Sequence, residues 1–513
     1  MTHWPSLLAL GLMAVATIVV GIYATRVART TPDFFVASRA VGPVLNASAI
    51  SGEYLSAASF LGVAAMIVQF GYDALWYPAG YAAGYLFLLL FVAAPLRRFG
   101  AYTIPDFAEG RFDSPRFRRL AVVFVLVIGV FYLLPQMKGA GLTVQTIAGG
   151  RVPYWLGIVV IGCVITFNVA LGGMKGITFV QAFQYWVKLF ALALPAFLVL
   201  VYLGGYGEHF TQAASGGWGR PWGNVEAHRT EAVLLTYSLM AATVFGTAGL
   251  PHILVRFYTN RDGAAARQTT LVVLALIGGF YLFPPLLGTV ARGRLAGGDA
   301  VLLELGGLFG DGGLAEGVRA VVAAGAFAAF TSTASGLLVT VAGAIAHDLY
   351  GRILWPGAGP TARQRAFQVS ALLVGAAAMG LGLLVERFPI NLLVGWAFAI
   401  AASSFFPLLV LGIWWRGLTV VGAALGVAGG GLGASLAILT SMLLGLDAQG
   451  LYPSSLAAVL LTQPAIWSVP LAFGLMVAGS KLTAMRVPSD VRLKMLRLHA
   501  PEALGLRREY VVE

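Results

Sequence analysis

Charge and cysteine are scarce in this chain. Only 11% of its 513 residues are charged, and the one cysteine, Cys163, lies inside an apolar run. A single cysteine excludes an internal disulfide, and no Cys/His spacing suggests a metal site. Hydrophobic residues make up 59% of the chain, and the mean hydropathy is +0.84. Because no water-soluble core of this length needs so much apolar surface, the composition predicts a protein embedded in a lipid bilayer.

Catalytic groups are also missing from the apolar runs. These runs contain no HExxH motif, no paired carboxylates and no Ser/His/Asp set, so we do not expect an enzyme. The run at 7–24 lacks a basic segment before it and a clear cleavage site, which favours a membrane span over a signal peptide. The polar tail after Val487 is too short for a kinase domain, which argues against a sensor.

Thirteen apolar runs are candidates for bilayer spans, which need about 20 residues each. They lie near residues 6–24, 42–70, 74–96, 119–147, 154–172, 175–204, 231–250, 267–291, 318–347, 365–385, 390–414, 418–445 and 463–484. The dense basic clusters follow odd-numbered runs, including Arg256 after run seven. Cytoplasmic loops carry such an excess of Lys and Arg. The net charge of +12 therefore indicates orientation rather than nucleic-acid binding, and predicts a plasma-membrane protein with its N-terminus outside and its C-terminus cytoplasmic.

The loop at 97–119 is both basic and amphipathic, which predicts a segment lying along the cytoplasmic membrane interface. A plain solvated loop is the alternative.

Two of the runs are interrupted. The middle of run two contains Ser51, Gly52, Glu53, Ser56 and Ser59. A charge at mid-bilayer costs at least roughly 2.5–3.5 kcal/mol, so this segment should open its backbone onto a polar cavity. Run seven contains Gly246, Gly249 and Pro251, which can open a helix in the same way. Two interrupted spans five runs apart indicate an inverted-repeat transporter, although glycines also serve close helix packing.

A third polar cluster lies in run nine. Ser332 and Thr333 are adjacent there, and the carbonyl of Ala329 lies one turn before them on the same face. With two carbonyls from the opened run two, these groups make an oxygen cage of about five ligands, which suits a hard monovalent cation such as Na⁺. The alternative is that both hydroxyls bond back to their own helix.

Five long motifs resemble the sodium:solute symporter family, and within it the acetate/monocarboxylate (cation acetate symporter) branch. They are ISGEYLSAASFLG at 50–62, QMKGAGL at 136–142, LGGMKGITFVQ at 171–181, FGTAGLPHILVRFYT at 245–259 and FTSTASGLLVTVAGAIAHDLY at 330–350. The resemblance covers roughly residues 30–480. It implies an all-α polytopic membrane protein of about 13 transmembrane helices, with a LeuT-like five-plus-five inverted repeat and broken helices.

The resemblance also implies a division of the chain and a sodium site. A first span and cytoplasmic linker occupy 1–41, the inverted-repeat transport core 42–415, additional spans 416–485, and a cytoplasmic tail 486–513. Runs two to six form one repeat and runs seven to eleven the other. The implied Na⁺ ligands are the carbonyls of Gly52, Leu55 and Ala329 and the side chains of Ser332 and Thr333. Gln181 stands where other branches have an aspartate thought to assist Na⁺ entry or release.

Five residues are predicted to bind substrate. Lys138 in run four needs a partner inside the membrane, and we expect its ammonium to bind a substrate carboxylate in exchange with Glu53. A permanent structural pair and a snorkelling lysine are the alternatives. Tyr237, Trp396 and Ser403 are expected to line an apolar pocket for a short acyl chain, with helix packing as the alternative.

Two further polar residues of run six, Tyr185 and Lys188, are expected at the membrane interface.

The sequence thus predicts sodium-coupled secondary active uptake of a small monocarboxylate such as acetate by alternating access. The alternative is a symporter of another small solute: pyruvate, an amino acid or another organic anion. Na⁺ is the expected coupling ion. The expected partners are the small-molecule substrate and the lipid bilayer, and a small membrane subunit or a homo-oligomer is left open.

Overall fold

The computed structural model describes residues 3–25, 37, 41–208, 211, 216–222, 229–446, 453, 455–505 and 510. The basic residues Arg26, Arg29 and Arg39 of the predicted cytoplasmic linker, and Arg507 and Arg508 of the tail, lie outside the described residues. Within the described part the chain is helical and has no strand.

The α-helices follow one another along the whole described chain. In order they are α1 Trp4–Thr25, α2 Pro43–Tyr54, α3 Val63–Phe70, α4 Trp76–Phe87, α5 Ala93–Phe99, α6 Ile104–Phe112, α7 Pro115–Ile147, α8 Tyr154–Tyr202, α9 Arg229–Thr247, α10 Pro251–Phe257, α11 Gly263–Phe280, α12 Phe283–Ala291, α13 Gly313–Gly343, α14 Pro360–Gly382, α15 Ile390–Ala402, α16 Phe405–Trp414, α17 Val420–Leu444, α18 Leu456–Thr462, α19 Ala465–Leu482 and α20 Val491–His499. Short π-helical segments occupy Ala58–Gly62, Leu88–Val92 and Ala344–Leu354.

Eleven helical stretches of the described chain are long and apolar enough to cross a membrane. The stretch Tyr154–Tyr202 has 49 residues, or about 74 Å at 1.5 Å per residue, more than twice the hydrocarbon thickness of about 30 Å. It is broken at Gly173, whose φ is 54°. The 42-residue stretch Ala58–Phe99 is divided in the same way at Gly71, with φ 62°. The stretch Tyr154–Tyr202 holds predicted runs five and six, and Ala58–Phe99 holds run three and the second half of run two, whose first half is α2.

Both predicted helix breaks are present. Helix α2 ends at Tyr54, and Leu55 leaves helical geometry with φ −75° and ψ 83°. The backbone N–H of Ala57, which the break leaves open, donates to Gln136 Oε1 at 3.2 Å. Helix α9 ends at Thr247, and the chain resumes as α10 with Pro251 at its first position, where a missing N–H has no cost.

Helix α13 is the centre of the fold. Its residues from Ala326 to Gly343 are all buried, and it packs against α1, α2, α7 and α8. The last two long helices, α17 and α19, pack mainly on each other. Helix α13 thus lies directly against α2, which brings the two polar clusters of the sequence together.

Much of the basic segment at 97–119 is buried against the rest of the protein, and its place along the cytoplasmic membrane interface stays a prediction. Most of α6 is buried, and Thr103 caps its first turn in a reciprocal pair with Asp106. Arg111 Nε donates to the carbonyl of Gly412 at 2.9 Å, and Arg118 pairs with Asp106 at 2.8 Å. Arg111 and Arg118 therefore find partners inside the protein, whereas Arg116 and Arg119 are exposed.

Candidate functional site

The break after α2 directs two backbone carbonyls toward α13. The carbonyls of Gly52 and Leu55 lie at the C-terminal end of α2, where the helix dipole is negative and attracts a cation. Ser332 Oγ donates to the carbonyl of Gly52 at 2.6 Å and lies 3.1 Å from the carbonyl of Ala329. Backbone and hydroxyl oxygens from two helices therefore converge on one buried point.

Thr333, the last of the five predicted sodium ligands, contacts a different carbonyl of α2. Thr333 Oγ1 donates to the carbonyl of Glu53 at 2.5 Å, next to the group formed by Gly52, Leu55 and Ser332. The structure thus brings all five predicted sodium ligands to the contact between α2 and α13. In this conformation the hydroxyl of Thr333 is used to join the two helices.

A lysine occupies the point where these oxygens meet. Lys188 Nζ donates to the carbonyl of Gly52 at 2.6 Å, to the carbonyl of Leu55 at 2.7 Å and to Ser332 Oγ at 2.9 Å. Its side chain is fully buried, so the prediction that it lies at the interface is wrong. Tyr185 is buried as well, and its hydroxyl donates to the carbonyl of Leu276 at 3.1 Å. The second half of α8 therefore directs its polar side chains inward.

An ion pair lies directly beside this site. Arg256 Nε pairs with Glu53 Oε2 at 2.6 Å, and both side chains are about 1% exposed. Arg256 also donates to Thr178 Oγ1 at 2.8 Å and to Gln181 Oε1. Glu53 is therefore paired with Arg256 and not with Lys138 as predicted, and Arg256 is an internal residue rather than a loop residue.

Gln181 connects the ion pair to the oxygen site. While its Oε1 accepts from Arg256, its Nε2 donates to the carbonyl of Ser332 at 2.8 Å. An ionised aspartate could accept from the arginine but could not donate to the carbonyl. The glutamine thus links α8, α10 and α13.

Two glycines allow these helices to approach so closely. A Cβ on Gly52 would lie 2.2 Å from the carbonyl oxygen of Gln181, and a Cβ on Gly336 would lie 2.0 Å from Glu53 Oε1. A side chain at Gly52 would meet the backbone of α8, whereas one at Gly336 would have to displace the side chain of Glu53.

An aromatic cluster lies between the two helix breaks. We use this name for Tyr54, Tyr81, Tyr85, Tyr132, His252 and Phe398. The ring of Phe398 lies 5.2 Å from Tyr81 and 5.5 Å from Tyr132, and Tyr132 lies 5.2 Å from His252. The hydroxyl of Tyr54 bonds to Thr247 Oγ1 at 2.7 Å, which links the first break to the second.

Several polar atoms of the aromatic cluster are buried without partners. The hydroxyls of Tyr81 and Tyr85 and both ring nitrogens of His252 have no hydrogen-bond partner among the described residues. Leaving a buried polar group unsatisfied costs about 1–3 kcal/mol, so such groups in a folded protein call for an unseen partner such as a water or a ligand. The cluster is therefore suited to bind a small polar molecule.

The residues predicted to bind substrate do not come together. Lys138 Nζ pairs with Asp299 Oδ2 at 2.8 Å and also donates to the carbonyl of Phe388, as in the alternative of a structural pair. Tyr237 is 59% exposed on the outside of α9, since the helix turns it away from the cluster.

The other two pocket residues are used in helix packing. Trp396 Nε1 donates to the carbonyl of Thr462 at 3.0 Å. Ser403 Oγ bonds to the carbonyl of Ala399 and to Ser468 Oγ, at 2.8 and 2.7 Å.

The sequence did contain signals for the residues that were missed. Tyr77, Tyr81 and Tyr85 recur every four residues, which places three phenols on one face of α4. His252 and Arg256 have the same spacing at the second break, inside the motif at 245–259. A face of polar aromatic residues beside a helix break indicates a binding surface more directly than isolated aromatic residues do.

A second buried charged cluster lies at the end of α13. Ligand atoms of Asp106, His347 and Asp348 lie within 4.8 Å of one another, but the guanidinium of Arg118 pairs with both aspartates. Burial raises the pKa of Asp106, yet His347, Arg118 and the backbone N–H of Tyr102 together bring it well below its usual value. The cluster is a junction of α6, α7 and the π-helix Ala344–Leu354 that Arg118 joins through ion pairs with Asp106, Asp348 and Glu109.

Broken helices whose backbone carbonyls meet inside the protein are typical of secondary transporters of the LeuT-like fold. The sodium:solute symporter family profile matches residues 34–430, more than half of the chain. The chain belongs to this family. It is therefore a multi-pass membrane transporter and not an enzyme, and it moves a solute with Na⁺ as the coupling ion.

Solved structures share this architecture. A Na⁺-coupled sialic acid symporter in a substrate-bound outward-open state has a TM-score of 0.70 at 16% identity, covering 93% of this chain and 98% of that one. Mhp1, a nucleobase-cation-symport-1 family transporter in a closed conformation, has a TM-score of 0.53 at 16% identity, covering 88% and 98%. At these identities the likeness shows the fold.

Proposed function

We propose that this transporter takes up a small monocarboxylate such as acetate by alternating access, driven by Na⁺. The observation that carries the proposal is the set of unpartnered polar atoms in the aromatic cluster: the hydroxyls of Tyr81 and Tyr85 and the ring nitrogens of His252. A carboxylate accepts several hydrogen bonds, and phenol hydroxyls and an imidazole N–H are suitable donors. The surrounding rings, including Phe398, suit a short acyl chain.

We further propose that Na⁺ binds among the carbonyls of Gly52, Leu55 and Ala329 and the hydroxyls of Ser332 and Thr333. The convergence of these groups at the contact between α2 and α13 supports the assignment. All are neutral oxygens, which favours a monovalent cation over Ca²⁺. For Thr333 to take part, its hydroxyl must turn from the carbonyl of Glu53 toward the ion.

Na⁺ and substrate are coupled through the break in α2. A cation there ties α2 to α13 and fixes Tyr54, whose hydroxyl reaches the second break at Thr247. By linkage, each ligand raises the affinity of the other by the same factor. One Na⁺ with one monocarboxylate carries no net charge, so a membrane potential, worth about 2.3 kcal/mol per charge per 100 mV, contributes nothing. A current in proteoliposomes on addition of acetate would instead require a second cation.

The proposed architecture follows the family. Residues 1–41 form a first span and linker, 42–415 the inverted-repeat core, 416–485 additional spans and 486–513 a cytoplasmic tail, with the N-terminus outside the plasma membrane. In this arrangement Lys138 meets a substrate carboxylate only if that carboxylate replaces Asp299 as its partner.

The proposal is tested by uptake of labelled acetate into proteoliposomes, with Na⁺ or choline outside and with propionate, pyruvate or proline as competitors. We expect Na⁺-dependent uptake that propionate inhibits. Inhibition by proline or by pyruvate, but not by propionate, would support the alternative of another small solute. Equal uptake in Na⁺ and in choline would contradict the proposal.

A matched pair of variants tests the aromatic cluster. Tyr85→Phe removes one unpartnered hydroxyl, and we expect KM for acetate to rise about tenfold, the equivalent of about 1.4 kcal/mol, because a hydrogen bond to a charged group is worth about 1.5–3 kcal/mol. Tyr237→Phe removes a hydroxyl from the outer surface of α9 and should leave KM unchanged. Equal KM values in both variants would show that the substrate carboxylate does not bind in the aromatic cluster at Tyr85.

A further inference from the structure

We propose that Lys188 is a built-in competitor of Na⁺: its ammonium occupies the cation site and leaves it before Na⁺ binds. The inference rests on the proposed sodium site. It goes further by assigning to this chain a tethered cation that sets the affinity for Na⁺ and keeps α2 joined to α13 when no ion is bound.

The contacts of the amine carry the inference. Lys188 Nζ lies 2.6, 2.7 and 2.9 Å from the oxygens of Gly52, Leu55 and Ser332, so each of its three N–H groups has an acceptor. All three acceptors belong to the predicted sodium ligands. An ammonium that satisfies all its donors on one set of oxygens fills the space that a small cation would take.

Two cations cannot share this site. The oxygens that bind the amine are neutral, so nothing there offsets a second positive charge, and like charges at such a short distance repel strongly. The nearby carboxylate of Glu53 is paired with Arg256 at 2.6 Å. Na⁺ binding and the observed position of the amine therefore exclude each other.

The amine is also held in a way that permits its release. Only carbonyl and hydroxyl dipoles bind it among the described residues, and its four-carbon chain is flexible. In this position it bridges α2 to α13 much as an ion would. When Na⁺ leaves toward the cytoplasm, the amine can return to the same oxygens. Its return promotes the release of Na⁺ and keeps α2 in contact with α13 in the ion-free transporter.

Direct binding of ²²Na⁺ to the purified full-length protein tests the competition without reference to any solute. In Lys188→Ala we expect the Kd for Na⁺ to fall about tenfold, which corresponds to an amine that holds the site about nine-tenths of the time. Lys481→Ala, on the exposed end of α19, should leave Kd unchanged. A Kd that is unchanged or higher in Lys188→Ala would overturn the inference.

An added amine gives a second readout of the same site. Methylammonium should raise the Kd for Na⁺ in Lys188→Ala, where it can enter the vacated site, and should have about a tenth of that relative effect in the wild type, where the amine holds the site about nine-tenths of the time. If methylammonium has the same effect on both proteins, the tethered amine does not occupy the sodium site.

Labelling of the wild-type protein covers the case in which Lys188→Ala does not fold. Na⁺, but not choline, should increase the modification of Lys188 by a small amine reagent, as measured by mass spectrometry. Unchanged modification overturns the inference. Because these assays report Na⁺ alone, a failure of acetate uptake would refute the proposed substrate and leave the competition standing.

Discussion

Gly52→Ala is the substitution for which the structure predicts the sharpest effect. The new Cβ would lie 2.2 Å from the carbonyl oxygen of Gln181 and 2.9 Å from its carbonyl carbon. Both atoms belong to the backbone of α8, so no side-chain rotation relieves the contact. Ordinary contact needs more than 3.4 Å, and α2 must therefore move from α8 by about 1 Å.

The magnitude follows from that displacement. Overpacking of this kind costs about 1–3 kcal/mol of stability. The same movement displaces the carbonyl of Gly52, which now accepts from Ser332 Oγ at 2.6 Å, and a shift of about 1 Å is enough to break a hydrogen bond of this length. One of the oxygens at the cation site is thereby lost, and we expect Na⁺-dependent uptake to fall about tenfold or more, while the protein still inserts and can be purified.

The assay compares two glycine-to-alanine variants in proteoliposomes and by thermal unfolding in detergent. Gly278→Ala on α11 is the control, because a Cβ there meets nothing within 4 Å. It should keep wild-type uptake and gain up to about 1 kcal/mol from helix propensity. If Gly52→Ala transports and unfolds like Gly278→Ala, the close approach of α2 to α8 is not needed, and the description of the site is wrong.

Two further predictions concern ion pairs. Glu53→Gln leaves Arg256 buried without its anion, which should cost about 3–5 kcal/mol and lower the unfolding temperature markedly; an unchanged temperature would contradict the buried pair. For Glu502, burial raises the pKa, but Arg98 and the N–H of Gly263 lower it further, so the net pKa lies below the usual value. Such a group stabilises tail docking above its unfolded pKa and loses that contribution as pH falls through its folded pKa. Protection of the α20 amides, meaning their exchange rate compared with the intrinsic rate at the same pH, should therefore fall between about pH 7 and about pH 3 in the wild type and be low at both values in Glu502→Gln; equal protection in the two proteins at pH 7 would count against the contact.

The helix breaks could be predicted because local residues produce them. Glycine, proline and polar side chains inside an apolar run act on the backbone nearby, and both breaks lie where such residues occur. The contact between Ser332 and Gly52 could also be predicted. Each residue lies in a polar cluster inside an apolar run, and the family resemblance supplied the pairing of the two clusters.

The partners inside the site could not be predicted, because they depend on how helices far apart in sequence are rotated. Lys188 is an isolated lysine in an apolar helix, and the residues around it in the sequence do not show whether it faces lipid, the membrane interface or the protein core. Arg256 follows a span as a loop residue would, yet its partner Glu53 lies 203 residues away. The prediction that Tyr237 lines a pocket failed for the same reason, because the aromatic character of a residue does not show which side of its helix faces the protein interior.

Binding of ²²Na⁺ to the purified wild type and to Ser332→Ala tests the central claim most directly. Ser332 supplies a side-chain oxygen at the contact between α2 and α13, and Ser335 on the same helix serves as the matched control. The account predicts that Ser332→Ala raises the Kd for Na⁺ about tenfold or more, or about 1.4 kcal/mol, while Ser335→Ala leaves it unchanged. Na⁺ binding of equal strength in the wild type and in Ser332→Ala would contradict it.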